Sequence, residues 1–155
     1  MATPTVKTSK EEVPGDGRIR DGCFSRERII HPRNIDALGH VNNLVWVRFV
    51  VELATAHSAH LGWDETAYRR HGAWWVIHRQ EITYHAPAFV ADPVVEETWI
   101  SLMKGGRCVR ESRLRRGDAL LLSARTTWVW TEATSGRPRR IPAAMLESFP
   151  VLDPE

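Results

Sequence analysis

One segment limits what this chain can become. Leu44–Leu61 (LVWVRFVVELATAHSAHL) reads as a helix, with Asn42 or Asn43 as its N-cap and Gly62 as its stop. Leu44, Val45, Trp46, Val47, Phe49, Val50, Val51, Leu53 and Ala54 cover most of its circumference. Only Arg48, Glu52 and Thr55 mark a narrow polar stripe. A helix apolar nearly all round is buried nearly all round. In a chain of 155 residues, other elements must wrap it.

The wrapping material follows directly. Trp74–His85, Val94–Met103, Arg107–Arg116 and Leu120–Thr131 read as four strands. Pro87 with Asp92-Pro93, Gly105-Gly106 and Gly117-Asp118 punctuate them. Along the last, Leu120, Leu122, Ala124, Thr126, Trp128 and Trp130 share one face. Short connections imply antiparallel neighbours. Phe24–Arg33 adds a strand before the helix, and Ala143–Phe149 a short helix after the strands. The expected architecture is α+β: a five-stranded antiparallel sheet around one long buried helix. Residues 1–21 are polar and aperiodic and read as a mobile tail; 22–155 read as a single domain.

Bulk features exclude several classes. Net charge is +2, too small to mark a nucleic-acid binder by its field. Cys23 and Cys108 stand far apart with no paired-cysteine motif, so neither a zinc cluster nor a disulfide framework is expected. No apolar run is long enough to span a bilayer, and no signal pattern opens the chain. The expectation is a cytoplasmic protein without membrane contact. Of the 21 basic residues, 18 are Arg, which suits planar contacts to carboxylates or phosphates.

The chemistry is concentrated in Asn34–Asn43 (NIDALGHVNN). Asp36 precedes the first turn of the long helix, whose N–H groups carry partial positive charge. Such N–H groups can hold a carbonyl oxygen and stabilise the oxyanion that forms under attack. Gly39 permits a tight loop and close backbone approach. Asp36 can then attack the carbonyl or activate water upon it, with His40 and Asn43 as nearby polar groups. These are parts for acyl transfer or hydrolysis without a metal or other cofactor.

Read together, DALGHVNN (Asp36–Asn43), the helix after it, Trp75–Trp99 with its PA…DP turn, and SGRPRRIP (Ser135–Pro142) resemble the hotdog-fold thioesterases. These include the 4-hydroxybenzoyl-CoA, acyl-CoA and acyl-ACP enzymes. The resemblance covers about residues 22–149. It implies a curved antiparallel sheet around a central helix, with sites formed between subunits of a homodimer or of a tetramer of dimers. It places the catalytic carboxylate on Asp36, the carbonyl-polarising amide at Asn43 or its neighbour, and an implicated histidine on His40. Asn34 stands where many relatives carry a first Asp, Leu38 where acyl-ACP enzymes carry Asn, and Val51 where a helix Glu is common. Trp46 replaces the usual Tyr and is expected to shape the acyl pocket. Glu52 is the reserve carboxylate, with pairing to Arg48 at i−4 as the plainer account.

Gly39, Asn42, Trp46, Glu52, Arg107 and Arg139 complete the expected substrate contacts. Lys104-Gly105-Gly106-Arg107 is either an ordinary basic turn or a receiver for the phosphates of CoA. The same alternatives apply to Arg137, Arg139 and Arg140. The histidines His57, His60, His71, His78 and His85 form no metal motif. The leading expectation is hydrolysis of an acyl-CoA thioester to free acid and CoA. The alternatives are an acyl-ACP thioesterase of a fatty-acid or polyketide pathway, or a non-catalytic module binding acyl ligands or RNA.

Overall fold

The computed structural model describes residues 14–153. Its chain order is β1 (Arg18–Arg20), β2 (Cys23–Ile29), a 3-10 turn (Pro32–Asn34), α1 (Asn43–His60), α2 (Glu65–His71), β3 (Ala73–Tyr84), β4 (Pro93–Lys104), β5 (Arg107–Arg116), β6 (Ala119–Glu132) and α3 (Ala143–Ser148). The strands form one antiparallel sheet in the order β1-β2-β4-β5-β6-β3. After β2 the chain runs through α1 and α2 to the far edge, lays down β3 there, and returns to place β4 beside β2. The sheet therefore has six strands rather than five. The extra one is β1, paired to β2 from Arg18↔Ser25 to Arg20↔Cys23. It falls inside the expected tail, so the ordered chain begins earlier than residue 22. Its polar three-residue run (RIR) has no period to read, and only pairing with β2 defines it. Residues 1–13 of that tail lie outside the described residues.

Helix α1 starts where Asn42 accepts a hydrogen bond from the Leu44 N–H at 2.8 Å. Phe49, Val50 and Leu53 turn inward and join Phe24, Val94, Leu114 and Leu122 in the main core. A second core gathers Trp63, Ala67, Ile100, Cys108, Trp130, Met145 and Phe149 beyond the helix's last turns. The helix is not buried all round, however. Leu44 is 78% exposed, Val47 and Val51 are half-buried, and together with Arg48, Glu52 and Thr55 they line an open groove. One sheet covers one side of the helix, and its outer side stays open among the described residues.

Helix α2 was not legible as periodicity because it has only seven residues. Its caps are conventional: Asp64 accepts from the Ala67 N–H at 2.9 Å, and Gly72 closes it in the left-handed conformation. It brings Tyr68 over the second core, packed edge-on to Trp130.

An ion network pins β2 to its neighbours. Glu96 of β4 is fully buried, and its carboxylate accepts from Arg26 Nε at 2.5 Å and Arg28 Nε at 2.8 Å. Arg28 also reaches Glu52 of α1 at 2.8 Å and lies over the Phe49 ring at 3.8 Å.

Candidate active site

The Asn34–Asn43 segment folds as a small closed loop. Ile35 and Val41 form an antiparallel bridge. Inside it, the Asp36 N–H donates to the His40 carbonyl at 3.1 Å, and the Gly39 N–H donates to the Asp36 carbonyl at 3.0 Å. Asn42 N–H to Asn34 O closes the loop and Val41 N–H to Ala88 O anchors it from outside, both at 2.9 Å. Gly39 sits at φ +85°, and an added Cβ there meets no atom within 4 Å. Glycine is thus required by the backbone conformation and not by crowding.

Asp36 Oδ1 accepts from the Leu38 N–H at 2.9 Å. Its second oxygen has no protein partner among the described residues. The turn therefore fixes the carboxylate through one oxygen and leaves the other unbonded. His40 places its ring edge-on to Phe89, centroids 6.3 Å apart. Asn34, standing where relatives carry an Asp, is buried; its Oδ1 accepts from the His31 N–H at 3.0 Å.

The start of α1 offers fewer amides than the sequence suggests. The Leu44 N–H is taken by the Asn42 side chain, and those of Val45 and Trp46 by the Asn42 carbonyl. The Asn43 N–H is left without a protein acceptor among the described residues, and Asn43 itself is exposed. Asn42 acts as the cap that orients this amide.

Two expected contacts lie elsewhere. Trp46 is 3% exposed and packs edge-on against Phe49 in the main core, so it supports the helix from beneath. Glu52 bonds Arg28 and stands 3.6 Å from Arg48. It is nine residues beyond Asn43, about 13 Å along the helix axis at the usual rise, and is held in ion pairs away from the loop.

The two basic segments come together in space. Ile141 N–H donates to Gly105 O at 2.7 Å, and the Gly106 Cα lies against the Arg139 carbonyl so closely that a Cβ there would stand 2.5 Å from the oxygen. Lys104, Arg107, Arg139 and Arg140 are all exposed, and the two segments that carry them run side by side. Arg139 Nη1 also donates to the His71 carbonyl at 2.8 Å, fixing it to the end of α2.

A cavity of about 260 Å³ opens between the second half of α1 and the sheet, lined by Tyr68, Trp74, Trp75, Trp128 and Arg110 among others. The sequence by itself marks neither Tyr68 nor Arg110 as a site residue. Arg110 is one of five arginines in β5 (RCVRESRLRR); it alternates in phase with Cys108 and Leu114, but the strand does not record what lies above that face.

One long helix packs on a six-stranded antiparallel sheet, and a loop bearing a carboxylate leads into that helix. Residues 30–149 match the family model described as the thioesterase-like superfamily, and the chain belongs to that superfamily. Solved structures of similar fold include a probable thioesterase from Bartonella henselae (21% identity, 76% of this chain and 98% of that one, TM-score 0.71). A 1,4-dihydroxy-2-naphthoyl-CoA thioesterase from Synechocystis is also similar (17%, 82% and 95%, TM-score 0.75). So is a hypothetical protein from Staphylococcus aureus in complex with CoA (12%, 81% and 80%, TM-score 0.78). No curated protein matches the sequence. No helix among the described residues is long and apolar enough to cross a membrane.

Proposed function

We propose that this protein hydrolyses acyl-CoA thioesters to the free acid and CoA. The observation that carries the reading is the pairing of parts at the entry to α1: a fixed carboxylate with one open oxygen, and the uncommitted Asn43 N–H. The thioester carbonyl oxygen accepts from that N–H, which stabilises the negative charge as the carbonyl is attacked. Asp36 either attacks the carbonyl carbon or takes a proton from the attacking water. The C–S bond then breaks and CoA leaves as a thiolate, which places little demand on a general acid; where Asp36 is the nucleophile, water then hydrolyses the acyl–Asp36 anhydride, releasing the acid and restoring the carboxylate. The adjoining basic segments with Lys104, Arg107, Arg139 and Arg140 suit the phosphates of CoA. They stand beyond the C-terminal end of α1, whereas Asp36 stands at the N-terminal end. A homodimer reconciles the two: β3 offers a long outer edge with Val76 and Ile77 exposed, and α1 an uncovered apolar groove.

The test is thiol release over short, long, branched and aromatic acyl-CoAs, with the same acyl groups on a carrier protein for comparison. Asp36→Asn is expected to lose at least ~10²-fold in kcat/KM. Full activity in that variant refutes the role of Asp36 and moves attention to Glu52. Preference for the carrier-bound acyl group replaces CoA with carrier protein as the partner.

A further inference from the structure

Arg110 is 4% exposed, at the wall of the 260 Å³ cavity. Its guanidinium donates to His57 Nδ1 at 2.7 Å, Thr98 Oγ1 at 3.3 Å and Ser58 Oγ at 3.5 Å. All three are neutral acceptors. Burial and the nearby Arg110 charge hold His57 down to about 3, so its ring is uncharged. Burial likewise pushes the Cys108 thiol up to about 11 and the Tyr68 hydroxyl above its ordinary value. No carboxylate of the described residues pairs with Arg110. The other buried arginines are treated differently: Arg26 and Arg28 share Glu96. A buried cation without a counter-ion is costly and is normally paired. A guanidinium also carries five N–H donors in a planar fork suited to a carboxylate, more than these contacts use. A second donor points the same way: the Trp128 indole N–H is buried and unpartnered, and Trp128 lines the same cavity.

The cavity is also shaped for an apolar body. Its walls carry Tyr68, Trp74, Trp75, Trp128 and Phe149, and it exceeds the ~150 Å³ that accommodates benzene. Val51 and Thr55 line both this cavity and the outer groove, which begins at Leu44, next to Asn43. The groove thus leads from the carboxylate loop to the cavity, with Thr55 about 18 Å along the helix axis from Asn43 at the usual rise.

We propose that this cavity receives the far end of an acyl group and that Arg110 binds a carboxylate there, which makes long-chain ω-carboxyacyl thioesters the favoured substrates. The site is a carboxylate pocket in its own right; its place in a substrate rests on the thioesterase reading above.

Binding and turnover separate the two statements. The binding arm titrates octanoate and octanamide against the intact protein by tryptophan fluorescence, in wild type and Arg110→Met. Wild type is expected to bind octanoate at least ~10-fold more tightly than octanamide, the scale of a charge-assisted hydrogen-bonded pair. Arg110→Met is expected to bind both alike, while circular dichroism shows it folded. Equal binding in wild type overturns the pocket, as does an unchanged preference in the folded variant. If the Met variant does not fold, the wild-type comparison still decides, and Trp128→Phe, expected to weaken octanoate more than octanamide, supplies the second variant. The turnover arm compares a long-chain ω-carboxyacyl-CoA with the methyl-ended acyl-CoA of equal carbon number. Wild type is expected to favour the carboxyl-ended substrate at least ~10-fold in kcat/KM, and Arg110→Met to lose that preference. Carboxylate binding with no thiol release from any acyl-CoA supports the pocket and refutes the thioesterase reading. Thiol release with methyl-ended chains favoured in wild type refutes the substrate assignment.

Discussion

His57 gives this fold a specific sensitivity to acid. Its ring is fully buried, stacked on Phe24 at 5.3 Å and edge-on to Phe149 at 5.4 Å. Burial lowers its pKa most, followed by the charges of Arg110 and His60, from 6.5 to about 3. Nδ1 accepts from Arg110, so the ring proton sits on Nε2. A protonated Nδ1 would lose that bond and face a guanidinium. The folded state therefore refuses a proton that the unfolded chain accepts below 6.5. Between 6.5 and about 3 the unfolded state binds more protons, so stability rises with pH and falls on acidification. The limiting slope is ~1.4 kcal/mol per pH unit, and from pH 7 to pH 5 this one group removes about 2 kcal/mol. Most carboxylates titrate lower, so that interval isolates histidine. Urea unfolding at the two pH values measures the loss. His57→Asn keeps a short polar group toward Arg110 and removes the titration. It is expected to be less stable at neutral pH, having lost the ring contacts, but to recover most of the 2 kcal/mol difference between the two pH values. An equal acid-induced loss in wild type and variant would refute the assignment to His57.

Two further perturbations test the scaffold around the site. Asn42→Ala removes the side-chain cap of α1 and is expected to cost ~1 kcal/mol in urea unfolding. It also removes the cap that orients the Asn43 N–H, so kcat/KM for thiol release is expected to fall more than the small stability loss explains. Glu96→Ala strands the guanidinium of Arg26 and leaves Arg28 with Glu52 alone; calorimetry is expected to show a loss of about 3–5 kcal/mol. A change under ~1 kcal/mol there would show that the Arg-Glu-Arg cluster contributes little to holding β2 on the sheet.

The chain's local chemistry determined much of this protein. Apolar residues around Leu44–Leu61 demanded a wrapped helix, and β-rich runs bounded by glycine and proline turns supplied the wrapping; both are properties of neighbours in sequence. The Asp36–Asn43 loop was legible for the same reason, since a carboxylate, a glycine and a helix cap lie within eight residues. The seven residues of α2 and the three of β1 are too short to show a period, so their existence depends on caps and pairing.

Long-range contacts decided the rest. Tertiary structure gave Glu52 to Arg28, a partner 24 positions away. It laid Arg139 against Gly106, bringing two separate basic stretches side by side. It also buried Arg110 beside a neutral histidine instead of a carboxylate. An alternating strand records which face a residue is on, but not whether the space above that face holds a counter-ion. That is set by which helix crosses it, and here α1 and α2 leave a cavity with a charge at its wall.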